Sequence, residues 1–204
     1  MSDMLEIDTL MRGFCDAGAQ ALNHYAAISG EDPSTAPEYF MPAVICSGFG
    51  NNIDESDNQL SVTLETTFST LWEWNSDARA RDSKSVPSEL VKLGENLGTQ
   101  RVDMVLFSGQ TGIPKSKHDL FALVEFKKGN LEEEHGNKDR EKLRGILRYI
   151  DTCSYGIVCG WVEKKYHAYQ EERANRAGDS WYDSAVAVYE GKYVFCARVF
   201  RADI

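Results

Sequence analysis

The sequence predicts an α/β fold, a mixed central β-sheet flanked by helices. Three patterns predict it. Residues 3–28 carry apolar side chains at helical spacing. Residues 101–107 and 119–127 are apolar runs of strand length. Residues 154–162 form a continuous apolar run that follows a second helical stripe. The chain has 204 residues, 42% of them apolar, which suits one domain with a sizeable core.

Along residues 3–28, Ile7, Leu10, Met11, Phe14, Ala17, Ala21, Leu22 and Tyr25 recur on one helical face, and Asp3 with Glu6 matches a capping box. Gly30, Pro33 and Pro37 punctuate the loop that follows. A second helix is expected from about Ala36 through Phe49. Pro37 falls in its first turn, where a missing N–H costs little, Pro42 is near enough to the start to be tolerated with a bend, and Gly48 and Gly50 supply the stop.

Residues 50–58 are a polar turn region. Residues 59–66 then alternate, with Leu60, Val62 and Leu64 on one face and Ser61, Thr63 and Glu65 on the other, the pattern of a half-buried strand. Leu60, Leu64, Phe68 and Leu71 also match a 3.6-residue period, but the Thr-rich, β-branched content favours a strand. Residues 68–75 either extend that strand or open a helix. Residues 76–99 read as a polar loop with a short helix around 87–94, so 68–99 is a variable insertion.

The strands at about 101–107 and 119–127 come next, then a polar link at 129–138 whose Glu132–Glu134 run reads as a solvated loop. Asn137 or Asp139 caps a helix across 139–151, with Leu143, Ile146, Leu147 and Ile150 as its stripe and Arg140, Lys142 and Arg144 on other faces. After the buried strand at 154–162, a charged helix covers 163–177. Strands at 186–190 and 192–200 close the chain, joined by a Glu190–Gly191 turn.

The net charge of −10 is unevenly spread. Residues 1–100 hold 5 basic and 16 acidic side chains, net −11; residues 101–148 hold 10 and 8, net +2; residues 149–204 hold 7 and 8, net −1. The total weighs against tight nonspecific DNA binding. Phosphate contacts act within a screening length of about 8–10 Å, so the locally basic middle segment counts for more than the total. Five cysteines at irregular spacing, without a CxxC, read as buried free thiols in a reducing cytosol, and the expected location is cytoplasmic. The four histidines form no HxxxH pair. No secretory signal is visible, and no apolar run approaches the ~20 residues of a membrane span, so no membrane partner is expected.

Chemistry concentrates in residues 101–128. Asp103 lies near the start of the first strand, and Glu125 and Lys127 near the end of the second. Side chains two apart in a strand share a face, so Glu125 and Lys127 point one way and Val124 and Phe126 the other. Pairing the strands could bring Asp103 beside them. Two carboxylates and an ammonium together suit a divalent cation next to a lysine that activates water or stabilises charge. Taken singly, each residue has a simpler reading: Asp103 as a turn acid or partner of Arg101, and Glu125 with Lys127 as an exposed cross-strand ion pair.

Asp103 in RVD and Glu125-Phe126-Lys127 in VEFK each sit on an apolar strand, about 20 residues apart and followed by a basic helix and a buried strand. In this the chain resembles the PD-(D/E)xK nuclease superfamily, the restriction-endonuclease-like fold. The resemblance covers roughly residues 36–162 and implies an α-β-β-β-α-β core within one domain, 1–204. Residues 1–35 are then an N-terminal helical extension and 163–204 a C-terminal helix and strands. It further implies that Asp103 and Glu125 bind Mg²⁺ or Mn²⁺, that the Phe126 carbonyl completes the protein ligands, and that Lys127 positions or deprotonates the attacking water. The family's additional glutamate maps to Glu38, with Glu65 as the competing acid. Lys142 and Arg144 occupy the place of a supporting cation. Lys115 and Lys117, in the connection between the strands, are available to a nucleic-acid backbone or are simply solvated. Val102 stands where many members have Pro.

The implied activity is metal-dependent hydrolysis of a nucleic acid, DNA before RNA, by a bacterial or phage-borne enzyme of defence, restriction or DNA processing, with a homodimer as one arrangement. The alternative is a non-catalytic binding or regulatory protein on the same fold, meeting a protein partner through its acidic N-terminal half. A third is an unrelated α/β domain in which the motif is accidental.

Overall fold

The computed structural model describes residues 2–37, 39–52, 60–78, 87–96, 101–108, 120–127, 131, 134–150, 153–188 and 191–201. Their elements run α1 (Ser2–Ser29), a 3-10 turn (Pro33–Thr35), α2 (Phe40–Asn52), β1 (Leu60–Thr67), α3 (Phe68–Ala78), α4 (Ser88–Asn96), β2 (Arg101–Ser108), β3 (Leu120–Lys127), α5 (Glu134–Leu147), β4 (Tyr155–Glu163), α6 (Lys164–Arg176), β5 (Ser180–Ala185) and β6 (Tyr193–Arg201). The strands form one mixed six-stranded sheet, order β1-β2-β3-β4-β6-β5, flanked by helices, and the α/β class follows. The chain divides into two compact units: Met1–Asn52, Phe126–Gly136 and Val158–Val199 in one, Ile53–Glu125, Asn137–Ile157 and Phe200–Ile204 in the other.

In the first unit, α1 is the long amphipathic helix its periodicity predicts. Ile7, Met11, Phe14, Ala17, Ala21 and Leu22 are buried. The Phe14 ring lies 6.1 Å from Phe126 and 6.3 Å from Phe195. The approach to β6 depends on Gly18, where a Cβ would stand 2.4 Å from the Phe195 ring. The outer strand β5 is tied back to α1: Tyr182 donates to Asp8, and Asn23 Oδ1 accepts the Val188 N–H at 3.0 Å. Beneath it Arg198 donates to Asp179, both buried, so each charge satisfies the other out of water.

Several boundaries differ from the sequence reading. α2 begins at Phe40, not near Ala36, because Ala36 precedes Pro37 and takes an extended ψ of 131°, the conformation a following proline enforces. It continues through Gly48 and Gly50 to Asn52, since an interior glycine costs only about 1 kcal/mol. α5 begins at Glu134, inside the expected link, and ends at Leu147. The strand expected at 186–190 is instead at Ser180–Ala185, where Ser180 pairs with Val199 and Ala185 with Val194. Its Ser and Asp content hid it beside the more β-prone AVAVY run.

In the second unit, residues 68–78 resolve as helix, directly continuing β1. Leu64 is 42% exposed while Thr66 is buried, so the expected alternation of residues 59–66 fails along this edge strand. Within the strand the Thr66 hydroxyl is hydrogen-bonded to that of Thr63 at 3.0 Å. Asn75 Nδ2 donates to the Tyr149 carbonyl at 3.0 Å, and Trp74 packs 6.3 Å from Phe107. The short α4 matches expectation and packs Leu93 against Gly145 of α5, where a Cβ would meet Leu93 at 2.5 Å.

All five cysteines are free thiols, four of them buried and Cys46 half-buried. Burial pushes the Cys153 thiol up to about 12 and that of Cys46 up to about 11, and raises Cys15 and Cys196 further. The thiolate is the reactive form. In native protein at pH 8 an aromatic disulfide reagent should therefore react slowly with Cys46 and not with the other four, and with all five after unfolding. Rapid native reaction of a second thiol contradicts this packing. At Gly136 an added Cβ would stand 1.7 Å from the Leu131 carbonyl oxygen. Gly136→Ala, which in an open helix gains up to about 1 kcal/mol, should here lose about 1–3 kcal/mol in urea unfolding.

Candidate functional site

The antiparallel pairing of β2 and β3 sets the geometry. Leu106 pairs with Ala122, Val105 with Leu123 and Met104 with Val124. The pairs end at Met104–Val124; the same register, continued one step, would bring Asp103 level with Glu125. Side chains at opposed positions share a face, with Cβ atoms about 4.5–5.5 Å apart. On the other side, Leu64 pairs with Met104 and Thr66 with Val102, so Glu65 falls level with Asp103. Glu65 thus lies between two paired positions of β1, opposite the Asp103 position of β2.

Their surroundings differ sharply. Glu65 is exposed and adopts φ +54°, the one non-glycine residue with positive φ among those described. Its carboxylate lies 3.6 Å from the Arg101 guanidinium, an exposed pair worth little in stability. Asp103 is half-buried. Glu125 is 3% exposed and accepts from the Lys142 ammonium, itself 1% exposed. The same ammonium lies 5.9 Å from the Phe68 ring centroid, within cation–π range.

Lys142 and its neighbours therefore do not simply decorate the outer faces of α5. Lys142 precedes Ile146 by four residues and so belongs to the buried stripe. That spacing was the available signal for its burial, but nothing in the sequence marked Glu125 as its partner. Arg140 is buried too. The Arg140 and Arg144 guanidinium groups lie 5.3 and 5.6 Å from the Phe200 ring centroid. The positive φ of Glu65 also has no sequence signal, since glutamate carries no preference for it.

Lys127 is half-buried and lies two residues past Glu125 on β3, hence on the same strand face. Phe126, between them, is buried and packs on Phe14. Glu38, Lys115 and Lys117 lie outside the described residues. Trp72 is buried and Trp74, Trp161 and Trp181 half-buried, as core or interface rings. No helix among the described residues is long and apolar enough to cross a membrane.

The donors on β2 and β3 are carboxylate oxygens, which suit Mg²⁺ or Mn²⁺ over softer metals. Among the described residues, however, no three His, Cys, Asp or Glu side chains converge into a metal-holding group. Comparison with protein-family models, with curated proteins and with solved structures found no match.

The Glu125–Lys142 pair makes a stability prediction. Lys142→Met strands a buried carboxylate and should cost about 3–5 kcal/mol, whereas Lys142→Met with Glu125→Leu should recover most of it. Urea denaturation of the four proteins of the cycle measures the coupling. Additive losses contradict the pairing.

Proposed function

We propose that the protein is a divalent-metal-dependent nuclease that hydrolyses phosphodiester bonds, with DNA as the first substrate to test. The observation that supports this reading is the antiparallel β2–β3 register, which, continued one step past Met104–Val124, would bring Asp103 level with Glu125, two residues before Lys127. The element order α2-β1-β2-β3-α5-β4, with α3 and α4 inserted after β1, supports it by agreeing with the α-β-β-β-α-β core the resemblance implies.

In this reading Asp103 and Glu125 hold the cation, and Lys127 supplies a fixed positive charge to the attacking water or the phosphate oxygens. The cation would neutralise the phosphate and lower the pKa of its bound water. Lys142 acts through Glu125: it compensates the buried carboxylate and fixes its orientation. Glu65, level with Asp103, is the described candidate for the third acid. Arg144, over Phe200, and Lys142 are then supports of the site rather than solvated phosphate contacts.

A second reading, a non-catalytic binding protein on this fold, is favoured by one observation. The Glu125 carboxylate is engaged by Lys142, and a cation would have to share it.

Purified protein with Mg²⁺ or Mn²⁺ should cleave labelled DNA or RNA. Asp103→Asn and Lys127→Ala should each lower the rate by at least about 10²-fold while circular dichroism and melting stay native. Equal rates in wild type and both variants exclude the nuclease reading. A folded wild type that binds no metal by calorimetry selects the binding protein.

A further inference from the structure

Helix α6 exposes an aromatic and basic face that the candidate site does not use. Its buried side is Gln170 and Ala174. The exposed side carries Lys165, Tyr166, Tyr169, Arg173 and Arg176, which helical spacing gathers on one flank. Tyr166 and Tyr169 are 47% and 55% exposed, two of the few large apolar side chains left open to water among the described residues. Each ring is accompanied by a cation. Lys165 Nζ lies 4.7 Å from the Tyr166 centroid. The Arg173 guanidinium lies 5.6 Å from that of Tyr169, and donates to the Tyr169 hydroxyl at 3.1 Å.

The charge of this helix runs against that of the chain. α6 holds four Lys or Arg and two Glu, within a protein of net charge −10. Glu172 is ion-paired with Arg176, and Glu163, just before the helix, with Lys165 at 2.8 Å. Lys192, whose carbonyl accepts the Lys164 N–H at 2.7 Å, adds a cation at the helix start, 3.8 Å from the Asp32 carboxylate.

We infer that this face of α6 docks single-stranded nucleic acid, its cations meeting phosphates and its two tyrosines stacking bases. The inference rests on the nuclease reading and deepens it by naming the form of strand engaged. Charge complementarity selects a polyanion. The open rings select one whose bases are unstacked, because a duplex offers no base face to a tyrosine. An acidic protein segment would satisfy the cations but leave the paired rings without a flat partner.

The test uses the full chain carrying Asp103→Asn, so that a bound strand is not cleaved, with fluorescein-labelled oligo(dT), oligo(U) and a duplex, read by anisotropy over a salt series. The strands should bind more tightly than the duplex. Tyr166→Ala with Tyr169→Ala should weaken strand binding by about tenfold or more. Lys165→Gln with Arg173→Gln should flatten the log–log salt slope by about 1.4. Melting curves check that these surface variants fold. Unchanged binding in both double variants, a preference for duplex, or a protein partner captured through α6 with no strand binding overturns the inference. Wild-type cleavage alongside indifferent α6 variants removes this surface and leaves the nuclease reading. Strand binding that depends on α6, in a wild type without cleavage, removes the nuclease reading and leaves the surface.

Discussion

Burying the Glu125 carboxylate is the constraint around which the second unit is arranged. A carboxylate at 3% exposure needs a compensating charge, and Lys142 supplies it from α5. The remaining stripe of α5, Leu143, Ile146 and Leu147, is buried by the same docking. Phe68, the first residue of α3, faces the ammonium, while Gly145 lets α4 close in through Leu93. An apolar pair of similar volume could hold these elements as firmly, so retention of the ion pair is better understood as fixing one orientation of Glu125 than as added stability.

The first unit solves a different problem, close approach between a long helix and strands. Gly18 and the small residues Ala17 and Ala21 let α1 lie against Phe195, and Phe14 fills the space between Phe126 and Phe195. Polar ties, Tyr182 to Asp8 and Val188 to Asn23, fix the outer strand where apolar burial is incomplete. The Arg198–Asp179 pair repeats the logic of Glu125–Lys142, a charge buried only with its complement.

Much of the candidate site was legible because strand periodicity is local. Asp103, Glu125 and Lys127 could be assigned to strands and faces from alternation alone, and the antiparallel register, continued one step past Met104–Val124, would bring Asp103 level with Glu125. Lys142 was read as an outer-face cation; its four-residue spacing from Ile146 pointed to burial, but a lysine in a stripe has no local clue to its partner. Glu65 was visible as an acid on a strand, while its positive φ had no signal in the sequence. Strand β5 was missed because its Ser and Asp residues suit an edge strand held by polar ties and aromatic rings, a context that local propensity does not contain.

By itself the sequence determined the α/β class, the long N-terminal helix, the buried β4 and the strand faces of the central acids. These follow from periodicity and turn chemistry within windows of a few residues. Only the tertiary structure decided which charges are buried together, where β5 lies, and the register of β1 and β3 on β2. Those depend on register and docking between segments far apart in the chain, and a local window carries neither.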